Sequence, residues 1–190
     1  MVRKNAFEVR EPVTGIEPTS ARPRRARSSR SDLAEPAEAS SRSVEPEILA
    51  ATWRDLRLIA ALEKLCFGQD SWPWVEILAA LTLPGTIRLK AELAGEIIGF
   101  VIGDRRARKD LGWVASIGVH PSYRRRGLGR LLLAACEAQL GTQRVRLSLR
   151  RSNEQALALY RQVGYSQVGV WPEYYRDGED ALVMERVLSR

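Results

Sequence analysis

The chain is poor in the residues from which many active sites are built. Among 190 residues it has one histidine, His120, and two cysteines, Cys66 and Cys136. Neither cysteine has a partner at metal-ligand spacing, and one histidine cannot complete a mixed set, so no metal centre is expected. Both thiols fall in helix-like apolar stretches and read as reduced core residues, an acyl-cysteine intermediate being the alternative. No run approaches the roughly 20 apolar residues of a membrane span. The first residues, MVRKNAFEVR, also lack the apolar stretch of a secretion signal. These absences point to residence in the cytoplasm and away from a membrane. Two phosphate-binding loops are missing as well. There is no G-x-x-x-x-G-K-[ST], and the dinucleotide spacing begun by Gly127 and Gly129 meets Leu132 where a third small residue is required.

Large apolar residues are scarce between Glu11 and Pro46, where Arg, Ser, Pro, Glu and Ala dominate. Such a segment buries too little surface to offset its chain entropy. Residues 1–46 are therefore read as a disordered tail and residues 47–190 as a single domain. The net charge is +7, of which the tail carries +2 and the remainder +5. A basic surface suits nucleic acid, a ribosome, an acidic peptide or a cofactor bearing several phosphates. The run RPRRAR at 22–27 reads as a solvated extension, with contact to nucleic acid as its alternative.

From residue 47 onward the pattern alternates strands and helices. EILAAT reads as a strand, and residues 54–67 as a helix with an apolar face of Leu58, Ala61, Leu62 and Leu65. WVEILAALTL is a second helix, ended by Pro84 and Gly85. TIRLKAEL and EIIGFVIGD form a strand pair around Ala94 and Gly95, and LGWVASIGV is a further strand. Then come a helix from Leu128, strand RVRLSL, helix NEQALALYRQVG, strand YSQVGVW and strand EDALVMERVL. This order is that of an α/β domain with a mixed sheet.

The densest chemistry lies in IGVHPSYRRRGLGR, Ile117 to Arg130. Gly127 and Gly129 let the backbone come close to a bulky anion. The helix that follows directs its unpaired N–H groups and positive dipole end at that anion. Arg124, Arg125, Arg126 and Arg130 add planar donor forks suited to phosphate oxygens.

The spacing R-x-x-G-x-G, set by Arg124, Gly127 and Gly129, resembles the coenzyme A loop of the GCN5-related N-acetyltransferase (GNAT) superfamily. Three further segments resemble it in the same order: CFGQDSWPW, SNEQALALYRQVGY and WPEYYRDGEDALVM. The last is similar to the C-terminal part of N-terminal protein acetyltransferases, particularly the RimI type that acetylates ribosomal proteins. The resemblance covers residues 47–190 and implies a sheet splayed at its centre and flanked by helices. It implies acetyl-CoA as donor, direct attack by an amine in a ternary complex, and a protein N-terminus as acceptor. The implied cofactor residues are Ile117, Gly118, Leu128 and Val119, the arginines and glycines already named, Asn153 and Tyr160. Asn153 also has the position of a helix cap, and Tyr160 is implied as proton donor to the departing sulfur. The implied acceptor walls are Trp72, Pro73 and Trp74 on one side and Tyr174 and Tyr175 on the other.

One position departs from the RimI pattern. Where that pattern has a glutamate base, RVRLSLRRSN has Ser148. An α-amine titrates near 7.7–8.0 and a lysine near 10.4, a difference of about 3.4 kcal/mol in deprotonation. A site without a strong base therefore favours an α-amine. Ser148 is expected to position a water through which the proton leaves toward Glu173, Asp180 or bulk solvent; His120 is a second candidate base. Alternatives are acetylation of a lysine or small amine, a non-catalytic acyl-CoA-binding module, and a basic RNA-binding protein.

Overall fold

Alternation of polar and apolar residues draws Thr86–Leu93 into a hairpin with Glu96–Arg106. Between them Ala94 and Gly95 both take positive φ, 51° and 85°, a two-residue turn whose twist matches that of the flanking strands. The computed structural model describes residues 45–106 and 110–188, so the tail expected at 1–46 lies almost wholly outside the described residues. The strands are β1 (Glu47–Ala50), β2 (Thr86–Leu93), β3 (Glu96–Arg106), β4 (Leu111–Val119), β5 (Arg144–Arg150), β6 (Ser166–Trp171) and β7 (Ala181–Val187). The helices are α1 (Leu56–Phe67), α2 (Trp74–Thr82), α3 (Leu128–Leu140) and α4 (Glu154–Gln162).

All seven strands form one sheet in the order β1-β2-β3-β4-β5-β7-β6. Only β4 and β5 run parallel, joined by the crossover through α3. One face is covered by α3 and α4 over Val101, Val114, Leu147 and Met184. The other is covered by α1 and α2 over Phe100 and Ile102.

The sheet is open where its two halves meet. Pairing between β4 and β5 runs from Leu111↔Arg144 to Val114↔Leu147 and stops there. Beyond that point β4 stays paired with β3 as far as Val119↔Gly99, while β5 stays paired with β7 as far as Arg150↔Ala181. The strands diverge, and the central splay implied by the resemblance is present. A register shift between Ile102 and Gly103 leaves Ala115 as an extra residue in β4, and such a bulge re-aims the side chains beside it.

The apolar face expected for the first helix needs correction. Leu58 and Leu65 are 57% and 53% exposed, whereas Ile59, Leu62 and Glu63 are buried. Two apolar stripes overlap on α1, and the sheet takes the one that includes Ile59, Leu62 and Cys66. Ile59→Ala is accordingly expected to cost about 2–5 kcal/mol of stability. Leu58→Ala, one residue earlier on the exposed side, should cost less than about 1 kcal/mol; urea unfolding of the two variants measures both.

Candidate active site

The splay creates backbone groups without strand partners. His120 N–H donates to Ile98 O across the ladder at 2.9 Å, so strand alternation turns the amides of Ile117 and Val119 away from β3 and into the gap. Half-buried amides in that position favour a ligand that pairs with them. The Val119 carbonyl has one already, accepting from Arg124 Nε at 3.1 Å and from Cys66 Sγ at 3.4 Å. Gly118 between them has no room for a side chain, since a Cβ there would stand 2.6 Å from Phe100.

A cavity of about 870 Å³ opens at this gap, between the end of β4 and the N-termini of α3 and α4. Every residue assigned to the cofactor from sequence lines it except Arg126, whose guanidinium lies over the Tyr123 ring at 5.4 Å. Gly127 caps α3 with φ 81°, a left-handed conformation that favours glycine. Hydrogen bonding within α3 starts with Arg130 N–H to Gly127 O at 3.0 Å, so the N–H groups of Leu128 and Gly129 have no carbonyl behind them. With Arg124, Arg125 and Arg130 on the same wall, this end of the cavity fits a pyrophosphate. The unpaired edge of β4 fits an arm that carries amides of its own. Coenzyme A has both parts.

At the other wall, Asn153 Oδ1 accepts from Ala156 N–H at 3.1 Å, the cap geometry its position foretold. Tyr160 is buried with its ring 5.7 Å from that of Tyr165. Burial pushes its hydroxyl up to about 12. His120 faces its own turn, where Nδ1 accepts from Ser122 N–H at 3.3 Å.

The expected acceptor residues stand on the opposite face of the sheet. Leu147, the last β5 residue paired with β4, faces α3 and α4, so Ser148 faces the side of α1 and α2. Arg146 and Arg150 share that face, and each is bound to carboxylates. Arg150 grips both oxygens of Asp70, at 2.6 and 2.9 Å, and also holds Asp177 and Glu179. Its guanidinium lies 4.1 Å above the Tyr175 ring. One side chain thus ties the segment before Trp72 to the segment carrying Tyr174 and Tyr175. Those tyrosines continue a row of rings, Trp113 to Trp171 to Tyr174 to Tyr175, with centroids 5.7, 5.1 and 5.2 Å apart. Trp72 packs on the α1–α2 layer, whereas Trp74 is 63% exposed.

The carboxylates first expected to receive the proton lie between β6 and β7. Asp180 accepts from Glu173 N–H and pairs with Arg151, and Glu173 is exposed. The residues missed from sequence are Arg150, Asp70, Ser116 and Glu63. Glu63 is 2% exposed on α1, its Oε2 accepting from Ser116 Oγ at 3.0 Å and its Oε1 from Trp72 N–H at 3.2 Å. Burial, only partly offset by those two bonds, raises its carboxyl from about 4.5 to about 7. The one sequence signal for Arg150 was the alternation RVRLSLR, which lines arginines along one strand face.

Comparison with known proteins agrees with this geometry. The model of the acetyltransferase (GNAT) family matches residues 52–165. The chain is 37% identical over 147 residues to the N-alpha-acetyltransferase RimI of Mycobacterium tuberculosis, covering 75% of this chain and 93% of that protein. It is 28% identical over 163 residues to an N-alpha-acetyltransferase of Sulfolobus acidocaldarius, covering 77% and 95%. The solved ribosomal-protein-S18-alanine N-acetyltransferase of Escherichia coli superposes with a TM-score of 0.70 at 26% identity, over 76% of this chain and 95% of that one. No described helix is long and apolar enough to cross a membrane.

Proposed function

Because the chain belongs to the GNAT acetyltransferase family and takes its acyl group from acetyl-CoA, we propose that its acceptor is the α-amine of a protein N-terminus, a ribosomal protein being the favoured case. The observation that carries this reading is the Arg150 tie, which locks two aromatic segments together across the splay on the face opposite α3 and α4. An extended peptide end lying between them reaches the open end of β4 from the side away from the cofactor cavity. The likeness to N-alpha-acetyltransferases supports the same acceptor. Residence in the cytoplasm belongs to this reading and is in keeping with Cys66 and Cys136 as free thiols.

Acetyl-CoA supplies a thioester carbonyl already activated for attack. The start of α3 with Arg124, Arg125 and Arg130 would hold the pyrophosphate, and the N–H groups of Ile117 and Val119 would be the donors for carbonyl oxygens along the arm and at the acetyl group. A backbone donor aimed at the oxygen where charge develops stabilises the transition state without reorganising. Tyr160, which lines the cavity, would donate a hydrogen bond to the sulfur. With its hydroxyl at about 12, against a typical thiol near 8.5, Tyr160 steadies the leaving group and keeps its own proton. Tyr160→Phe should therefore lower kcat by about 10- to 100-fold, the worth of one hydrogen bond to a sulfur that is gaining charge, about 1.5–3 kcal/mol. Its KM for acetyl-CoA should change less than threefold, which steady-state kinetics checks.

The reading is tested by CoA release from a panel of peptides differing in their first residue, with an N-blocked, lysine-bearing peptide as control. Turnover of free-N-terminus peptides alone supports it. Turnover of the blocked peptide alone shifts the acceptor to lysine.

A further inference from the structure

A proton leaving the acceptor ammonium finds no base at Ser148, and Asp180 is already paired. We propose that Glu63, acting through Ser116, takes that proton; the inference rests on the amine-acetylation reading above. The placement is specific. The extra residue Ala115 breaks strand alternation, so that Ser116 turns to α1, where Glu63 holds it. Ser148 faces the same side from β5, one residue past the last β4–β5 pair. The two serines thus stand on the two lips of the splay, on the acceptor's side, and the hydroxyl of Ser116 leads inward to a carboxylate.

That carboxylate is an uneconomical structural bridge. Among the described residues Glu63 forms no ion pair, and a buried carboxylate without a counter-ion opposes folding. A neutral glutamine would accept the same Trp72 N–H. What the carboxylate adds is the capacity to gain and lose a proton near neutrality. The layer around it is apolar, with Ile77, Ala80 and Leu81 from α2, Phe100 and Ile102 from β3, and Ala115 from β4. Cys66, one turn on, is the titratable group that feels its charge; Arg124 of the cofactor loop lies against that thiol. Charges on the neighbouring segments are paired among themselves, Asp70 with Arg150 and Asp55 with Lys90.

The transfer balances. The α-ammonium gives one proton to Ser116 Oγ as the serine's own proton moves to Glu63 Oε2. The neutral amine then forms its N–C bond while the C–S bond breaks, the remaining excess proton goes to sulfur, and Glu63 returns its proton to solvent through Ser116. Glu63 acts through the serine and is in that sense a positioning residue as well as a proton acceptor.

The test is kcat against pH, with a free-N-terminus peptide, for the wild type, Glu63→Gln, Ser116→Ala and the double variant. Each single variant should be slower by about tenfold or more at pH 6.5–7. The deficit should shrink to within about threefold near pH 9, where the amine deprotonates unaided. The double variant should be no slower than the slower single, and CoA affinity should be unchanged in all. A deficit of equal size at every pH, additive losses, or no loss overturns the proposal; should Glu63→Gln not fold, the profile of Ser116→Ala decides alone. Failure of the α-amine reading is separable, since wild-type turnover of only the blocked lysine peptide would mark it, and a pH series on that lysine carried to about pH 11, where it deprotonates unaided, would still decide Glu63.

Discussion

Gly127→Val is expected to raise the dissociation constant for CoA on the order of a hundredfold or more, for reasons confined to the backbone. At φ 81° the residue lies in the left-handed region, which costs an ordinary L-residue roughly 1–2 kcal/mol and a β-branched one more. No atom lies within 4 Å of a Cβ built there, so the defect is strain and not a clash. Relief of the strain moves the turn and displaces the N–H groups of Leu128 and Gly129. Hydrogen bonds to a charged partner are worth about 1.5–3 kcal/mol each, and losing two of them gives the expected loss of affinity. The fold itself should lose only about 1–3 kcal/mol, because the strain is local. Arg126→Ala is the contrast: its side chain leans on Tyr123 and does not line the cavity. Its effect on CoA binding should stay within about threefold, and calorimetric titration of both variants with CoA measures the difference.

Arg150→Ala should act on the acceptor and spare the donor. The guanidinium is partly buried and holds Asp70, Asp177 and Glu179 at once; these partners drive its proton affinity upward, Asp70 most of all. Removing it leaves three carboxylates facing one another and takes the lid off Tyr175. The two acceptor segments then have no common tie. A charge-assisted contact of this kind contributes about 1.5–3 kcal/mol, equivalent to a loss on the order of 10- to 100-fold in kcat/KM for a peptide. The loss should fall on the peptide's KM, while the dissociation constant for CoA stays within about twofold. Arg150→Lys keeps the charge but not the planar fork and should recover only part of the loss. Steady-state kinetics with varied peptide, beside CoA titration, separates these effects.

Much of the fold was legible because glycine and proline punctuate the chain. LGWVASIGV is β4 to the residue, and α3 begins at Leu128, where the sequence opens a helix. The cavity wall from Ile117 to Arg130 was legible for a related reason: its residues are contiguous in sequence, so spacing alone carries the geometry. The acceptor side was harder. Arg150 and Asp70 meet across 80 residues, and no periodicity foretells which carboxylate a strand arginine will face. Glu63 was hidden by α1, whose second apolar stripe of Leu58 and Leu65 made the wrong face look like the core. Ser116 was hidden by the bulge at Ala115, since alternation along β4 assigns it no fixed side once one residue is extra. Local pattern settles elements. Long-range pairing of polar groups settles the site.

The most direct measurement is made on one peptide with a free N-terminus and an internal lysine. It is incubated with the enzyme and acetyl-CoA near neutral pH, and fragmentation mass spectrometry then locates the acetyl group. An acetyl group on the α-nitrogen, with the lysine unmodified, is the predicted result. An acetyl group on the lysine, with the N-terminus left free, would contradict the account.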